Sequence, residues 1–345
     1  MNHAPTHKLI LSAYTSNSAG GRTGLISLLK SLPAHIQAVT LVDQRMEDLQ
    51  FPNVKFIKVA PTLRGRWQAE LKLRKLAGPK TFVLRLGSVP PLFRLKAYTY
   101  VFFENRHLLS SVSLEGMPFK KRLRVYAERF LVRALKHHAT TFLVQTESMA
   151  DGLRAALGEN TVVQVRPFQG QFKRMSVSAK DIDFIFPATG DRHKNHHNLI
   201  EAWVRLAQEN IRPSLLLTID ALAYPRLTTW MDQVKREYSL NIINLGFVNE
   251  ASVENHYNRC RAMIFPSTCE SFGRPLLEAS HLGIPIVASE IDCVRDVIDP
   301  QETFDPTSPR SIERAVKRFL GLKEPRCAPL EPANFLAELS RQANV

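Results

Sequence analysis

Cysteine is scarce in this chain, and long apolar runs are missing. Only four cysteines occur in 345 residues: Cys260, Cys269, Cys293 and Cys327, all in the last third. None belongs to a C-x-x-C pair, which argues against a zinc site of the usual spacing. Nor do they suggest a disulfide scaffold, so a reducing compartment is expected. No apolar stretch approaches the roughly 18 residues of a spanning helix. The opening MNHAPTHKLILSAYTS has too short an apolar run for a signal peptide. The expectation is a soluble, cytoplasmic chain, peripheral at most at the inner face of a membrane. Internal repeats and low-complexity segments are lacking as well.

Acidic residues are in deficit. Lys and Arg total 46 against 32 Asp and Glu, a formal charge of +14. The excess lies in the first half, at Arg64-Gly-Arg66 and in residues 72–80 and 120–136. Such a balance favours anionic partners: nucleotide phosphates, nucleic acid or an anionic membrane face. No RNP-type aromatics or paired zinc fingers accompany it, so no nucleic acid is expected.

What is present is ordinary globular composition, with 44% hydrophobic and 23% charged residues. At roughly 100–200 residues per domain, the length suggests two domains, each able to bury a core. Short apolar runs alternate with amphipathic stretches. In the first half, residues 8–13, 36–42, 54–60, 81–86, 98–103, 141–145 and 161–165 read as strands. Residues 23–32, 120–137 and 148–156 read as helices. Residues 167–181 (PFQGQFKRMSVSAKD) are polar and aperiodic, which predicts a linker. The alternation then resumes, with strands over 184–187, 214–219, 242–245, 262–265 and 284–288. Helices fall over 195–209, 225–238, 251–260 and 275–282. Continuous apolar strands alternating with helices imply a doubly wound parallel sheet. Two such halves give an α/β protein of two Rossmann-like domains facing across a cleft, with ligand at the strands' carboxyl ends. The division is 1–168, a linker at 169–182, a second domain at 183–322 and a tail at 323–345 expected to cross back to the first domain.

The most informative segment, residues 262–288, reads AMIFPSTCESFGRPLLEASHLGIPIVA. A strand reaches Phe265, a loop spans 267–273, and Pro275 suits the first turn of a helix. Gly283 and Pro285 end that helix. Amides around Gly273, with the helix dipole, are expected to form an anion site that a phosphate approaches closely. Glu270 and Glu278 flank it. Carboxylates cannot bind the phosphates, but they accept hydrogen bonds from hydroxyls on either side of a diphosphate. A nucleotide sugar has that layout. Each glutamate also has an ordinary reading: Glu278 as a first-turn acid, Glu270 as a solvated loop residue.

This stretch resembles the E-x7-E motif of the GT-B glycosyltransferases of family 4, commonly written E-S/G-F-G-x-P-x-x-E-A. The resemblance implies a retaining, metal-independent transferase that uses a nucleotide-diphosphate sugar as donor, with no cofactor. It places Glu270 on donor-sugar hydroxyls and Glu278 on the ribose, with Ser271, Phe272 and Gly273 at the donor. Arg274 stands where the motif has a small or apolar residue. It either reaches the diphosphate or faces solvent. Upstream, DFIFPATGDRHKNHHNLIEAW at 183–203 is similar to the family's first strand and turn in the donor domain, where Lys194 matches a lysine that clamps the diphosphate. The family's arginine falls on Thr189, so Arg192 or Arg274 is left to supply that charge. Phe247 and Val248 fall where the family lays the nucleobase. Phe304-Asp305-Pro306 matches a late motif of no evident chemistry.

The first half matches more loosely. Gly20 and Gly21 resemble paired glycines that admit the donor phosphate or acceptor, or else form a flexible strand–helix turn. At YTYVFFENRH, Asn105 is ranked ahead of His107 for the family's catalytic-site histidine. The resemblance thus assigns catalysis to Glu270, Lys194 and Asn105. His193, His196 and His197 are not read as a metal site, because helix-borne ligands sit four apart on one face. Asp181-Ile-Asp183 is read as a linker feature, not a metal-binding D-x-D. The partners implied are a nucleotide sugar and a glycan or lipid-linked acceptor of cell-surface polysaccharide or lipopolysaccharide synthesis. The basic stretch between Lys120 and Lys136 offers an anionic membrane contact, or is a core-packed helix with a charged back. A sugar-nucleotide epimerase or sugar phosphorylase of the same fold is the alternative activity.

Overall fold

The computed structural model describes residues 8–15, 19–115, 117–168, 180–248 and 250–322. Two parallel sheets are present. The first carries β1 (Lys8–Ser12), β2 (Ala38–Asp43), β3 (Val54–Val59), β4 (Thr81–Leu86), β5 (Tyr98–Phe102), β6 (Thr141–Val144) and β7 (Val163–Val165) in the order β3-β2-β1-β4-β5-β6-β7. Its helices are α1 (Ala19–Lys30), α2 (Leu63–Leu76), α3 (Phe119–Leu135) and α4 (Glu147–Leu157). The second carries β8 (Ile182–Phe186), β9 (Leu215–Leu217), β10 (Ile242–Asn244), β11 (Cys260–Phe265), β12 (Ile286–Ser289) and β13 (Glu302–Phe304) in the order β10-β9-β8-β11-β12-β13. Its helices are α5 (His196–Gln208), α6 (Pro225–Glu237), α7 (Glu250–Arg259), α8 (Arg274–His281), α9 (Asp292–Arg295) and α10 (Pro309–Phe319).

The expected strands form because their side chains are buried on both faces. β9 is wholly buried, and in β11 only Arg261 reaches solvent. Phe184, Phe186, Trp203 and Phe265 are fully buried in the second core. Each such side chain contributes about 1.5–3 kcal/mol, so β8 and β11 sit rigidly at the centre. Chain direction across the sheet reverses between these two strands, which makes their carboxyl ends the ligand-binding crevice of such a sheet.

Several boundaries differ from the sequence expectation. α1 begins at Ala19, so Gly20 and Gly21 lie in its first turn rather than in an open strand–helix loop, and Gly21 is buried. β8 begins at Ile182, inside the stretch read as linker. Asp181 pairs with Arg259, and Asp183 with Arg261 and Ser214, at the amino end of this strand. Residues 169–179 and the tail from 323 onward lie outside the described residues.

Three helices had no sequence counterpart: the four-residue α9, and α2 and α10, which share one reason. α2 turns Gly65, Ala69, Glu70 and Leu73 inward, and α10 turns Ile312, Glu313, Ala315, Val316 and Lys317 inward. A charged residue on the buried face hides an apolar stripe. Glu70 is sustained by Arg85 at 3.2 Å and by the Tyr14 hydroxyl, while Glu313 is held by Lys317 and Arg205, both at 2.6 Å.

Candidate functional site

The two loops of the central crevice are welded to one another. After β8 the chain makes a 3-10 turn over Arg192–Lys194, then passes through Asn195 in the left-handed region (φ 61°) into α5. The Asn195 amide nitrogen donates to the carbonyls of Pro266 (3.0 Å) and Pro306 (2.7 Å), and Asn198 adds a bond to Pro306 (2.9 Å). The Thr268 N–H donates to the His193 carbonyl at 2.8 Å. Pro306 therefore acts through its backbone, as the anchor of the Lys194 turn. That accounts for the Phe304-Asp305-Pro306 stretch, for which sequence reasoning found no role.

This anchoring brings Lys194 Nζ within 2.5 Å of Glu270 Oε1, with only 15% and 12% of the two side chains exposed. Sequence reasoning named both residues from separate segments, and the fold makes them an ion pair. Arg192, on the same turn, is exposed. At Thr189, where the family pattern has an arginine, the hydroxyl instead donates to Asp191 Oδ2 at 2.9 Å. Burial opposes ionisation of Asp191, but the Thr189 hydroxyl, Lys121, His193 and Tyr224 outweigh it and hold the carboxyl below its ordinary value. Compared with the pattern, this corner has lost a cation and keeps an anion.

After β11, the loop ends at Gly273, which has φ 69°. A Cβ there would come within 2.7 Å of Leu276 Cδ1. Glycine is thus required by backbone conformation and by contact with its own helix; the expected phosphate approach is not what the structure shows to require it. Phe272 is buried, which leaves little of it to touch a ligand. On α8, Arg274 lies 3.9 Å from Glu278, and the hydroxyl of fully buried Tyr257 donates to Glu278 Oε2 at 3.4 Å. Burial, reinforced by Glu278, pushes the Tyr257 hydroxyl well above its ordinary value, so it stays a donor. Arg274, expected either to reach the diphosphate or to face solvent, is instead half-buried beside Glu278.

At the end of β10, the Asn244 side-chain amide bonds the Ile219 backbone through both its atoms, at 2.8 and 3.0 Å. Phe247 is 76% exposed, and Val248 is half-buried. A cavity of about 420 Å³ lies beside Tyr224, between His197 and Leu227. A slightly larger one, about 460 Å³, lies against β6 and β7 around Thr140, Gly158 and Thr161, away from these groups.

The first domain closes onto this corner through residues that follow β5. The Ser88 hydroxyl accepts from the N–H groups of Glu104 and Asn105, at 3.1 and 3.0 Å. The Asn105 Oδ1 accepts from the His107 N–H at 3.1 Å and so caps the short turn. The Arg106 N–H donates to Ser271 Oγ, while its guanidinium donates to the Glu270 carbonyl and to Ser148 Oγ, each at 3.1 Å. Ser148 N–H reaches Asp296 at 3.1 Å, and Lys121 lies 3.7 Å from Asp191. The carboxyl ends of the two sheets therefore face one another. Sequence reasoning missed Arg106; its signal was a cation directly after a strand's carboxyl end.

His107 and His193 meet across this seam, ring centroids 5.6 Å apart and nearly perpendicular. Burial, and then Lys121 and Arg129, lowers the pKa of His107; burial, and then Lys194, lowers that of His193. Both rings are held neutral in near-neutral solution, and the His107 Nδ1 is buried without a hydrogen-bond partner. His107 thus presents its ring at the seam, while the Asn105 oxygen is engaged in the cap. Among the described residues, no group of three His, Cys, Asp or Glu is placed to hold a metal ion.

Residues 169–331 match the family model described as "Glycosyl transferases group 1". Among curated proteins, the chain is similar to the serotype-specific mannosyltransferase WbdA of Escherichia coli. Identity is 27% over 158 residues, covering 42% of this chain and 18% of that protein. It is also similar to the O-antigen chain mannosyltransferase B of Escherichia coli, with 25% identity over 137 residues, 39% of this chain and 36% of that protein. The match thus spans well under half the length of either relative. Among solved structures, sucrose-phosphate synthase from Thermosynechococcus elongatus superposes with a TM-score of 0.70 at 14% identity, over 91% of this chain and 90% of that one. Anabaena HepE in complex with UDP-glucose gives 0.68 at 16% identity, over 91% and 89%. The two-sheet architecture is that of the GT-B fold.

Proposed function

We propose that this chain, which carries a glycosyl transferases group 1 domain on a GT-B fold, transfers a sugar from a nucleotide-diphosphate donor to a glycan or lipid-linked acceptor in bacterial surface-polysaccharide synthesis. The observation that carries the reading is the Lys194–Glu270 pair at the crevice between β8 and β11, opposite Arg106 and His107 of the first domain. The mannosyltransferase names of the two relatives make a mannosyl donor the first to test.

On this reading the donor inserts into the ion pair. Lys194 moves to the diphosphate and, with the amides at the start of α8 and exposed Arg192, stabilises the charge that grows on the leaving nucleoside diphosphate. Glu270, released, accepts from sugar hydroxyls and orients the anomeric carbon. Glu278, steadied by Tyr257, takes the ribose hydroxyls, and exposed Phe247 with Val248 borders the base. Gly20 and Gly21 lie on the first domain's side. Transfer proceeds with retention, and no metal is assigned a step. The basic surface of α3 would bring the enzyme to an anionic membrane carrying a lipid-linked acceptor.

Thermal shift across GDP- and UDP-sugars, followed by product analysis with a labelled donor, tests this. Stabilisation by one nucleotide sugar is expected, with transfer that survives EDTA and an unchanged anomeric configuration. Glu270→Ala or Lys194→Ala enzyme with wild-type transfer rates would overturn it. Epimerised donor without transfer would favour the epimerase alternative.

A further inference from the structure

We infer that α2 and α3 together form a docking face for an anionic lipid bilayer, with two apolar stripes that enter the headgroup region between rows of basic side chains. This deepens the lipid-linked-acceptor reading above, and rests on it only for the choice of lipid as partner.

Both helices cover the same face of the first sheet. Ala69 and Leu73 of α2 pack in one cluster with Ile10 and Val83, while Val125 and Val132 of α3 pack with Val101 and Phe142. Ile10 is in register with Val83, Val83 with Thr99, and Val101 with Phe142. Alternate residues of a strand share a face, so Thr99 and Val101 place both clusters on one side of the sheet. The loop between β4 and β5 packs on α2, with the Phe93 and Trp67 ring centroids 5.4 Å apart, and its Pro91 carbonyl lies 2.9 Å from the ring of His138, just past the end of α3.

Each helix turns large apolar side chains away from that core. On α3, Phe119 (77% exposed), Leu123, Tyr126 and Phe130 (69%) are exposed. At 3.6 residues per turn they fall within an arc of about 60°. On α2, Leu63 (87%), Trp67 (51%) and Leu71 follow one another at four-residue spacing and are exposed too. A core-packed helix with a charged back, the other reading of this sequence, has no reason to align its rings outward.

Charge selects the occupant. Lys120, Arg122 and Arg133 border the α3 stripe, and all are exposed. Arg64, Arg66 and Lys75 do the same on α2. The acids on these helices are otherwise engaged: Glu70 is buried against Arg85, and Glu128 pairs with Arg124. Apolar residues in line between cations match an interface of anionic headgroups over acyl chains. The first turn of α3 also stands at the cleft mouth, where Lys121 lies 3.7 Å from Asp191. A bilayer on this face would therefore deliver a lipid-borne hydroxyl to the crevice.

The test is sedimentation of the full chain with vesicles of phosphatidylglycerol and phosphatidylcholine in equal parts, against pure phosphatidylcholine. Binding is expected only to the anionic vesicles, with a blue shift of Trp67 emission that Trp67→Phe abolishes. F119S/L123S/F130S and, separately, L63S/L71S should each weaken binding at least tenfold. All five positions are exposed, so folding should survive, as circular dichroism would verify, and donor-induced thermal stabilisation should be unchanged. Three results would overturn the inference: no binding to anionic vesicles, binding that both serine variants retain, or a dimer in solution that the serine variants dissociate. Unaltered chain that transfers sugar but does not bind anionic vesicles refutes this surface alone, whereas vesicle binding without transfer refutes the activity alone.

Discussion

Glu270→Gln is the substitution that separates the two halves of the proposed mechanism. Lys194 and Glu270 stand 2.5 Å apart with little solvent between them. At an effective dielectric near 20, unit charges at that distance attract by about 7 kcal/mol in gross Coulomb terms. Desolvation cancels most of this, and both groups retain some contact with water, so a net strength of about 1–2 kcal/mol is reasonable. A diphosphate that recruits Lys194 has to displace the carboxylate first. Glutamine keeps the shape and removes the competing charge, so the nucleoside diphosphate alone should bind roughly 5–30 times more tightly. The sugar then loses its charged acceptor, and kcat should fall by about 100-fold from misplacement of the anomeric carbon. Isothermal titration calorimetry with nucleoside diphosphate and steady-state transfer kinetics read the two effects apart. Unchanged or weaker nucleoside diphosphate binding together with kcat within a factor of three of wild type would refute the reasoning.

Arg106→Ala removes a guanidinium that joins Glu270 to Ser148 across the cleft; hydrogen bonds from a charged donor contribute about 1.5–3 kcal/mol, so kcat/KM should drop roughly 10- to 100-fold, with Arg106→Lys restoring part of it and the melting temperature little changed. Glu70→Gln leaves buried Arg85 without its counter-charge; about 3–5 kcal/mol should be lost, seen as a lower midpoint in urea, and Glu70→Leu/Arg85→Leu should be less damaging than the single change. His196 is buried beside Phe186, and burial pushes its pKa down to about 4. The folded chain thus resists a proton that the unfolded chain takes up near 6.5, so its stabilising effect is full above that value and declines as pH falls towards 4, by roughly 3 kcal/mol in all. Chemical denaturation of His196→Gln between pH 7 and 4.5 should show a shallower decline than wild type.

Local pattern alone determined the alternating strands and helices, because strands buried on both faces read as unbroken apolar runs whatever their neighbours. The corner from Cys269 to Pro285 was legible for a similar reason: a left-handed glycine, a first-turn proline and a closing glycine each answer a backbone requirement set within a few residues. Lys194 and Glu270 were both visible as candidates. That they touch was not, since 76 positions separate them and it takes the pairing of β8 with β11, the Thr268–His193 bond and the Asn195 and Asn198 bonds to the Pro266 and Pro306 carbonyls to bring them together. α2 and α10 escaped because a charge paired by a distant partner stands where the local pattern requires an apolar residue. Arg106 looked like any cation after a strand, and its acceptor at Glu270 lies 164 positions away. The outward rings of α3 look in sequence like core residues of an amphipathic helix, because periodicity reports that a stripe exists and not which side of the helix the sheet covers. That choice is made by packing over the whole domain, and it turns Phe119, Leu123, Tyr126 and Phe130 to the outside.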